Sequence, residues 1–160
     1  TIINWELRYW HDENAVVIPL DHIGFALRYL DKNALRKYKY VSGTRISDTL
    51  FGIDKLPKTS TNIILVEGSF DKIWLHQLGF ENSLALLHAD ISQNQIKLLK
   101  GVTNYVFLML DGDNVGKQQA LKIKKLLGGE FLVKICNLPD GKDPDNFSKE
   151  EIIQILKGAK

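Results

Sequence analysis

Carboxylates recur in three short runs of this chain, and each run follows an apolar stretch. Glu67-Gly68 follows Ile63–Val66, Asp111-Gly112-Asp113 follows residues 105–110, and Asp143-Pro144-Asp145 follows residues 131–135 by a short loop. Acidic groups crowded at one edge either repel or share a cation. Oxygen donors of this kind suit Mg2+ or Mn2+, which keep several waters and bridge to phosphates. In open α/β sheets ligands bind outside the carboxyl ends of the strands, which is where these runs fall. Each piece also has a plain structural reading. Glu67-Gly68 is an ordinary strand–glycine turn, Asp-x-Asp is turn chemistry, and Asp143-Pro144-Asp145 is a type I turn with proline in its favoured position. It is their order and strand context together that point to a metal-dependent reaction on phosphate.

A second chemistry lies upstream. From Arg28 to Arg45 stand Arg28, Lys32, Arg36, Lys37, Lys39 and Arg45 against Asp31, with Tyr29, Tyr38 and Tyr40 interleaved. Basic residues mixed with aromatics suit phosphates and bases. A basic segment and a carboxylate cluster in one chain suggest a polyanion with a divalent cation. Two solvated charged faces are the alternative.

Rival motifs fail on the same residues. A calcium loop opening at Asp111 needs an oxygen ligand at its fifth position and Glu at its twelfth, and here Val115 and Lys122 stand there. A phosphate-binding loop needs four residues between its glycines and then Lys-Ser/Thr, whereas Gly112 lies too close to Gly116-Lys117 and Gln118 follows. Asp111-Gly112-Asp113-Asn114-Val115 fits the opening of a haloacid-dehalogenase-type phosphatase. That motif opens its fold, however, and the short remainder here lacks the later acidic pair.

The elements that must carry these residues follow from pattern. The chain has 160 residues, 44% hydrophobic and 25% charged, with net charge +2, which bounds it to one ordinary domain with a small appendage. Its single Cys excludes a disulfide framework and a Cys-ligated zinc ribbon. No apolar run approaches the ~20 residues of a membrane span. The first ten residues are no signal peptide, and the absence of an initial Met suggests a processed chain or an excised piece. Residues 14–20 and 23–30 read as two antiparallel strands joined by a turn at Asp21-His22. Residues 31–61 read as irregular, with a short element near residues 50–53, and residues 1–13 show little regular pattern. Lys58 to Asn62 is the candidate boundary. Beyond it, strands at 63–66, 83–87, 105–110 and 131–135 alternate with helices at 69–78, 92–99 and 116–127. Ser148 and Glu151 form a capping box that opens a last helix. The fold class is therefore α/β, a parallel or mostly parallel sheet flanked by helices.

At this point the sequence resembles a family. ILVEGSFDK, LMLDGDNVGKQQA and LPDGKDPDNF are similar to the three signatures of the Toprim domain. The form is that of bacterial and phage DnaG-type primases, whose versions are close to VEGYMD, DGDxAGxxAA and LPxGKDPDE. IPLDHIGFALRYLD, KYKYVSG and LFGIDK resemble that family's upstream blocks, so the likeness spans residues 14–150. It implies residues 1–61 as part of a primase N-terminal subdomain, small and partly antiparallel, 62–147 as the Toprim domain, and 148–160 as the start of a helical segment. It implies Glu67, Asp111 and Asp113 as catalytic. It implies Glu67, Asp71, Asp111, Asp113, Asp143 and Asp145 as ligands of Mg2+ or Mn2+. Arg28, Lys39, Tyr40 and Lys117 would face nucleic acid or nucleotide. The implied reaction is template-directed RNA primer synthesis in the cytoplasm of a bacterial or phage-infected cell. Its partners would be single-stranded DNA, ribonucleoside triphosphates and a replicative helicase, with no membrane. A Toprim nuclease or topoisomerase module and a non-catalytic replisome module are the alternatives. Departures from the family pattern are Ala26-Leu27 before Arg28, Leu87-His88-Ala89 in place of Leu-Gly-Thr, Val115 in place of Ala, and Lys117 in place of Arg.

Overall fold

Ile63–Val66 is apolar at every position because both of its faces are covered: all four residues are buried. This strand is β5 of the computed structural model, which describes residues 2–20, 23–31 and 33–160. The expected turn at Asp21-His22 and the Lys32 of the basic run lie outside the described residues. The chain divides into two units, Thr1–Arg45 and Ile46–Lys160.

The second unit is built on a four-stranded sheet of order β6-β5-β7-β8. Its strands are β5, β6 (Ser83–Ala85), β7 (Tyr105–Leu108) and β8 (Leu132–Ile135), and every pairing is parallel. Between them run α1 (Ser69–Gln77), α2 (Gln93–Lys100) and α3 (Asn114–Leu127), and α4 (Lys149–Lys157) follows. One core joins Ile63, Leu65, Leu84, Leu86, Val106 and Leu108 of the strand segments to Ile96, Leu99, Ile123 and Leu127 of the helices. Each such side chain contributes roughly 1.5–3 kcal/mol when fully buried. Helix starts follow side-chain caps. Ser92 accepts the Gln95 N–H at 3.0 Å while Gln95 returns a bond to the Ser92 N–H, and Ser148 and Glu151 do the same for α4. Helix α3 begins at Asn114 instead of 116, because Asp113 caps it through the Gly116 N–H at 2.7 Å.

The boundary between the units stands at residue 45 and not at 61. Residues 46–61 lack periodicity, but they pack on the parallel sheet. Phe51 exchanges both backbone hydrogen bonds with Ala85, which adds an antiparallel bridge beside β6. The fully buried Gln95 side chain donates to the carbonyls of Ile46, Thr49 and Leu86, pinning the segment to α2. The polar stretch at 58–62 is a turn within this unit. Residues 148–160 also belong to it: Ile152 is fully buried, and Lys160 exchanges both backbone bonds with Ile135 on β8.

The first unit is a four-stranded antiparallel sheet, β1 (Arg8–Trp10), β2 (Ala15–Pro19), β3 (Phe25–Tyr29) and β4 (Tyr38–Tyr40), in chain order. The β2–β3 pair matches expectation. Strands β1 and β4 lie where the sequence reads as irregular. Every residue of β1 is exposed, so it has no apolar alternation, and its conformation comes from pairing with β2. Both strands are only three residues long.

Candidate active site

The acidic runs occupy one end of the parallel sheet. Glu67 follows β5 directly and is half-buried. Asp71 lies on the first turn of α1, is only 8% exposed, and accepts the Gly68 N–H at 3.0 Å. Asp111, half-buried, comes after β7 and the buried Met109 and Leu110. Asp113 is exposed and spends Oδ1 on the α3 cap. Asp143 immediately precedes a 3-10 turn, Pro144–Asn146, which carries Asp145 and is braced by Asn146. The Asn146 side chain accepts the Asp143 N–H at 3.0 Å and donates to Asp145 Oδ1 at 2.9 Å.

Electrostatics joins these separate segments. The Asp71 carboxyl is pushed up to about 7, first by burial, then by the negative charge of Asp111, against the Gly68 N–H, and further by Asp145 and Asp143. Asp71 thus senses carboxylates from two other segments, and a shared cation would relieve that repulsion. Among the described residues no three His, Cys, Asp or Glu groups close on one point as ligands of a single ion. An octahedral Mg2+ that retains several waters needs only one or two carboxylates, so this all-oxygen set fits Mg2+ or Mn2+.

Two glycines bring the runs together, and sequence reasoning gave them no role. A Cβ on Gly112 would overlap the Pro139 carbonyl oxygen and stand 2.8 Å from that of Lys142. The bare backbone instead lets the Gly112 N–H reach the Lys142 carbonyl at 2.8 Å, docking the third acidic loop on the second. A Cβ on Gly116 would overlap the Asp111 carbonyl, so α3 can start against the aspartate only with glycine there. The signal was present as glycines inside acidic motifs, but glycine spacing alone does not name its neighbour.

Lys117 forms an ion pair with Asp140 and lines a 160 Å³ cavity with Asp111 and Cys136. After β6 the left-handed residue is Leu87, φ 67°, buried, and its N–H donates to the Glu67 carbonyl at 2.9 Å. His88 Nδ1 accepts the Asp90 N–H at 3.2 Å, and burial, opposed by Asp90, lowers its pKa. The neutral ring therefore carries its proton on Nε2. Asp90 pairs with Lys122 of α3.

The basic candidates lie in the first unit. Cross-strand register pairs Arg28 with Tyr38 and Leu27 with Lys39. Alternation therefore puts Arg28, Tyr38 and Tyr40 on one face of the sheet and Lys39 on the other. Contacts agree: the Arg28 guanidinium lies 4.8 Å over the Tyr38 ring, while Lys39 meets Glu13 at 3.6 Å beside the Tyr29–Glu13 hydrogen bond. The structure thus brings Arg28 together with Tyr40, not with Lys39.

A family profile described as Toprim-like matches residues 64–148, which hold every acidic run and both glycines. The chain belongs to the Toprim-like family. Its Toprim domain is of the DnaG-primase type, as its likeness to two curated DNA primases and to a primase crystal structure shows. The DNA primase of Clostridium acetobutylicum is 35% identical to it over 91% of this chain and 27% of its own length. The DNA primase of Aquifex aeolicus is 36% identical over 84% of this chain and 30% of its own length. A crystal structure of Aquifex aeolicus primase, with its zinc binding and RNA polymerase domains, superposes at a TM-score of 0.80 and 31% identity. That match covers 92% of this chain and 40% of the other. The chain therefore spans less than a third of the length of these curated relatives. No helix among the described residues is long and apolar enough to cross a membrane.

Proposed function

We propose that this Toprim domain and the antiparallel sheet before it form part of the catalytic core of a DNA primase. The reaction is synthesis of RNA primers on single-stranded DNA from ribonucleoside triphosphates. A primer 3′-hydroxyl attacks the α-phosphate of the incoming nucleotide: a new P–O bond forms, the bond from the α-phosphorus to the oxygen bridging to the β-phosphate breaks, the hydroxyl proton passes to solvent, and pyrophosphate leaves. The observation that carries this reading is the crowding of the buried Asp71 by the charges of Asp111, Asp145 and Asp143 at the carboxyl end of the sheet.

Glu67, Asp71, Asp111, Asp113, Asp143 and Asp145 would hold Mg2+ or Mn2+. Such an ion, when bound, lowers the pKa of the attacking hydroxyl and neutralises charge on the leaving phosphates. Glu67, Asp111 and Asp113 are the catalytic set. The short stems of these aspartates, fixed by the α3 cap and by the Gly112 contact, hold their oxygens with little freedom to reorganise. Lys117, paired with Asp140, and Arg28 and Tyr40 on the antiparallel sheet are the proposed contacts to nucleotide and template, while Lys39 lies on the opposite face of that sheet. Arg28 and Tyr40 share a face, which suits a strand whose phosphates meet the guanidinium while a base stacks on the ring. A replicative helicase is the proposed partner of the whole protein, acting in the cytoplasm.

The test is template-dependent ribonucleotide incorporation by the full-length protein with and without Asp111→Asn. Loss of incorporation with retained folding is expected. Unchanged incorporation by this variant would remove the reading.

A further inference from the structure

Helix α1 begins immediately after Glu67-Gly68 and carries Asp71 on its first turn. Trp74 stands three residues further, so it shares a helical face with Asp71. Asp71 feels the charges of Asp145 and Asp143, and Trp74 reaches the same loop. Its indole N–H donates to the Phe147 carbonyl at 2.9 Å, across 73 residues of sequence. Phe147 directly follows the Pro144–Asn146 turn. Nothing in the three acidic motifs singles Trp74 out.

The turn is braced internally. Asn146 bridges Asp143 and Asp145 with its side chain, and its N–H returns to the Asp143 carbonyl at 3.0 Å. Where this piece sits depends on how its ends are anchored. The Lys142 carbonyl accepts the Gly112 N–H at 2.8 Å, which ties the leading end to the Asp111 loop. The trailing end is tied to α1 by Trp74. Asp143 and Asp145 are thus clamped between the segment bearing Asp111 and the helix bearing Asp71.

We propose that Trp74 is a positioning residue for the carboxylate site: its indole N–H holds the Asp143–Asp145 turn against α1, and this sets the affinity of the site for a divalent cation. The inference rests on the metal-binding reading above. Its physical basis is preorganisation, since a carboxylate pair already in place pays no ordering cost when the ion arrives.

The experiment measures Mn2+ binding to the intact chain by titration with electron paramagnetic resonance detection of free Mn2+. Backbone amide exchange across residues 143–148 is followed in parallel. Two variants are compared with the parent: Trp74→Phe, and Trp74 replaced by benzothienylalanine, which keeps the ring shape and puts sulfur in place of N–H. Both are expected to weaken Mn2+ binding about three- to tenfold, the effect of one neutral hydrogen bond. Both should speed amide exchange in the turn while the chain still melts cooperatively. If Trp74→Phe fails to fold, the isosteric variant decides. Unchanged Mn2+ affinity in the isosteric variant, with Asp111→Asn abolishing binding, overturns the role of Trp74 and leaves the metal reading intact. A parent chain that binds no Mn2+ overturns both, and that result is distinguishable from the first.

Discussion

Asp111 raises the Asp71 pKa through space, so its own charge is a cost to the folded chain in the absence of a cation. Asp111→Asn is therefore expected to leave the melting temperature equal or slightly higher while primer synthesis is lost. A large fall in melting temperature would make Asp111 a structural residue. Gly112 is the opposite case. The atoms facing its Cα are backbone carbonyls of Pro139 and Lys142, which cannot rotate away as a side-chain tip would. Gly112→Ala is expected to cost about 1–3 kcal/mol in denaturant unfolding, the usual range for overpacking. It should also weaken Mn2+ binding, because the displaced loop carries Asp143 and Asp145. Retained stability and affinity would mean that the loop can shift without consequence.

At the scale of elements, the antiparallel sheet separates residues that adjoin in sequence maps. Arg28 and Lys39 are one pleat apart in register, and one pleat is enough to send them to opposite faces. A single strand lying on the face of Arg28, Tyr38 and Tyr40 meets Arg28 and not Lys39, whose ammonium is already beside Glu13. Arg28→Ala is expected to reduce the slope of log K against log salt by about 0.7 for single-stranded DNA. Lys39→Ala should leave that slope unchanged. Fluorescence anisotropy across a salt series reads both, and the reverse pattern would assign the template to the Lys39 face. The α2 region shows how much one polar side chain can organise. Gln95 completes the α2 capping box with Ser92, and its amide also gathers three carbonyls and draws residues 46–50 into the unit.

At the scale of the molecule, the core that unites the parallel sheet with its helices lies wholly within Ile46–Lys160. Residues 46–160 alone are expected to fold and melt cooperatively. Cys136 supplies the readout, because burial pushes its thiol from 9.0 up to about 12. A thiol reagent at pH 8 should label it only on unfolding. The fold favours the neutral thiol, so this contribution to stability is full below pH 9 and is lost as pH climbs toward 12. Rapid labelling of the native fragment at pH 8 would show that the unit opens without its upstream sheet.

The second unit was legible in the sequence because its signals are local and strong. Buried parallel strands such as Ile63–Val66 are continuous apolar runs, and caps such as Ser92 and Ser148 state their helices within four residues. The three acidic motifs, with their order, carried the family. Strands β1 and β4 were not legible, since three-residue edge elements have no periodicity and exist only through hydrogen bonds to a neighbour. The division at residue 45 was hidden for a related reason: the side chain and backbone bonds that hold 46–56 reach partners tens of residues away. Sequence placed carboxylates at strand ends by chemistry and spacing. Only the tertiary structure decided which of them come near Asp71, because that depends on the absent Cβ of Gly112, the cap made by Asp113 and the reach of Trp74.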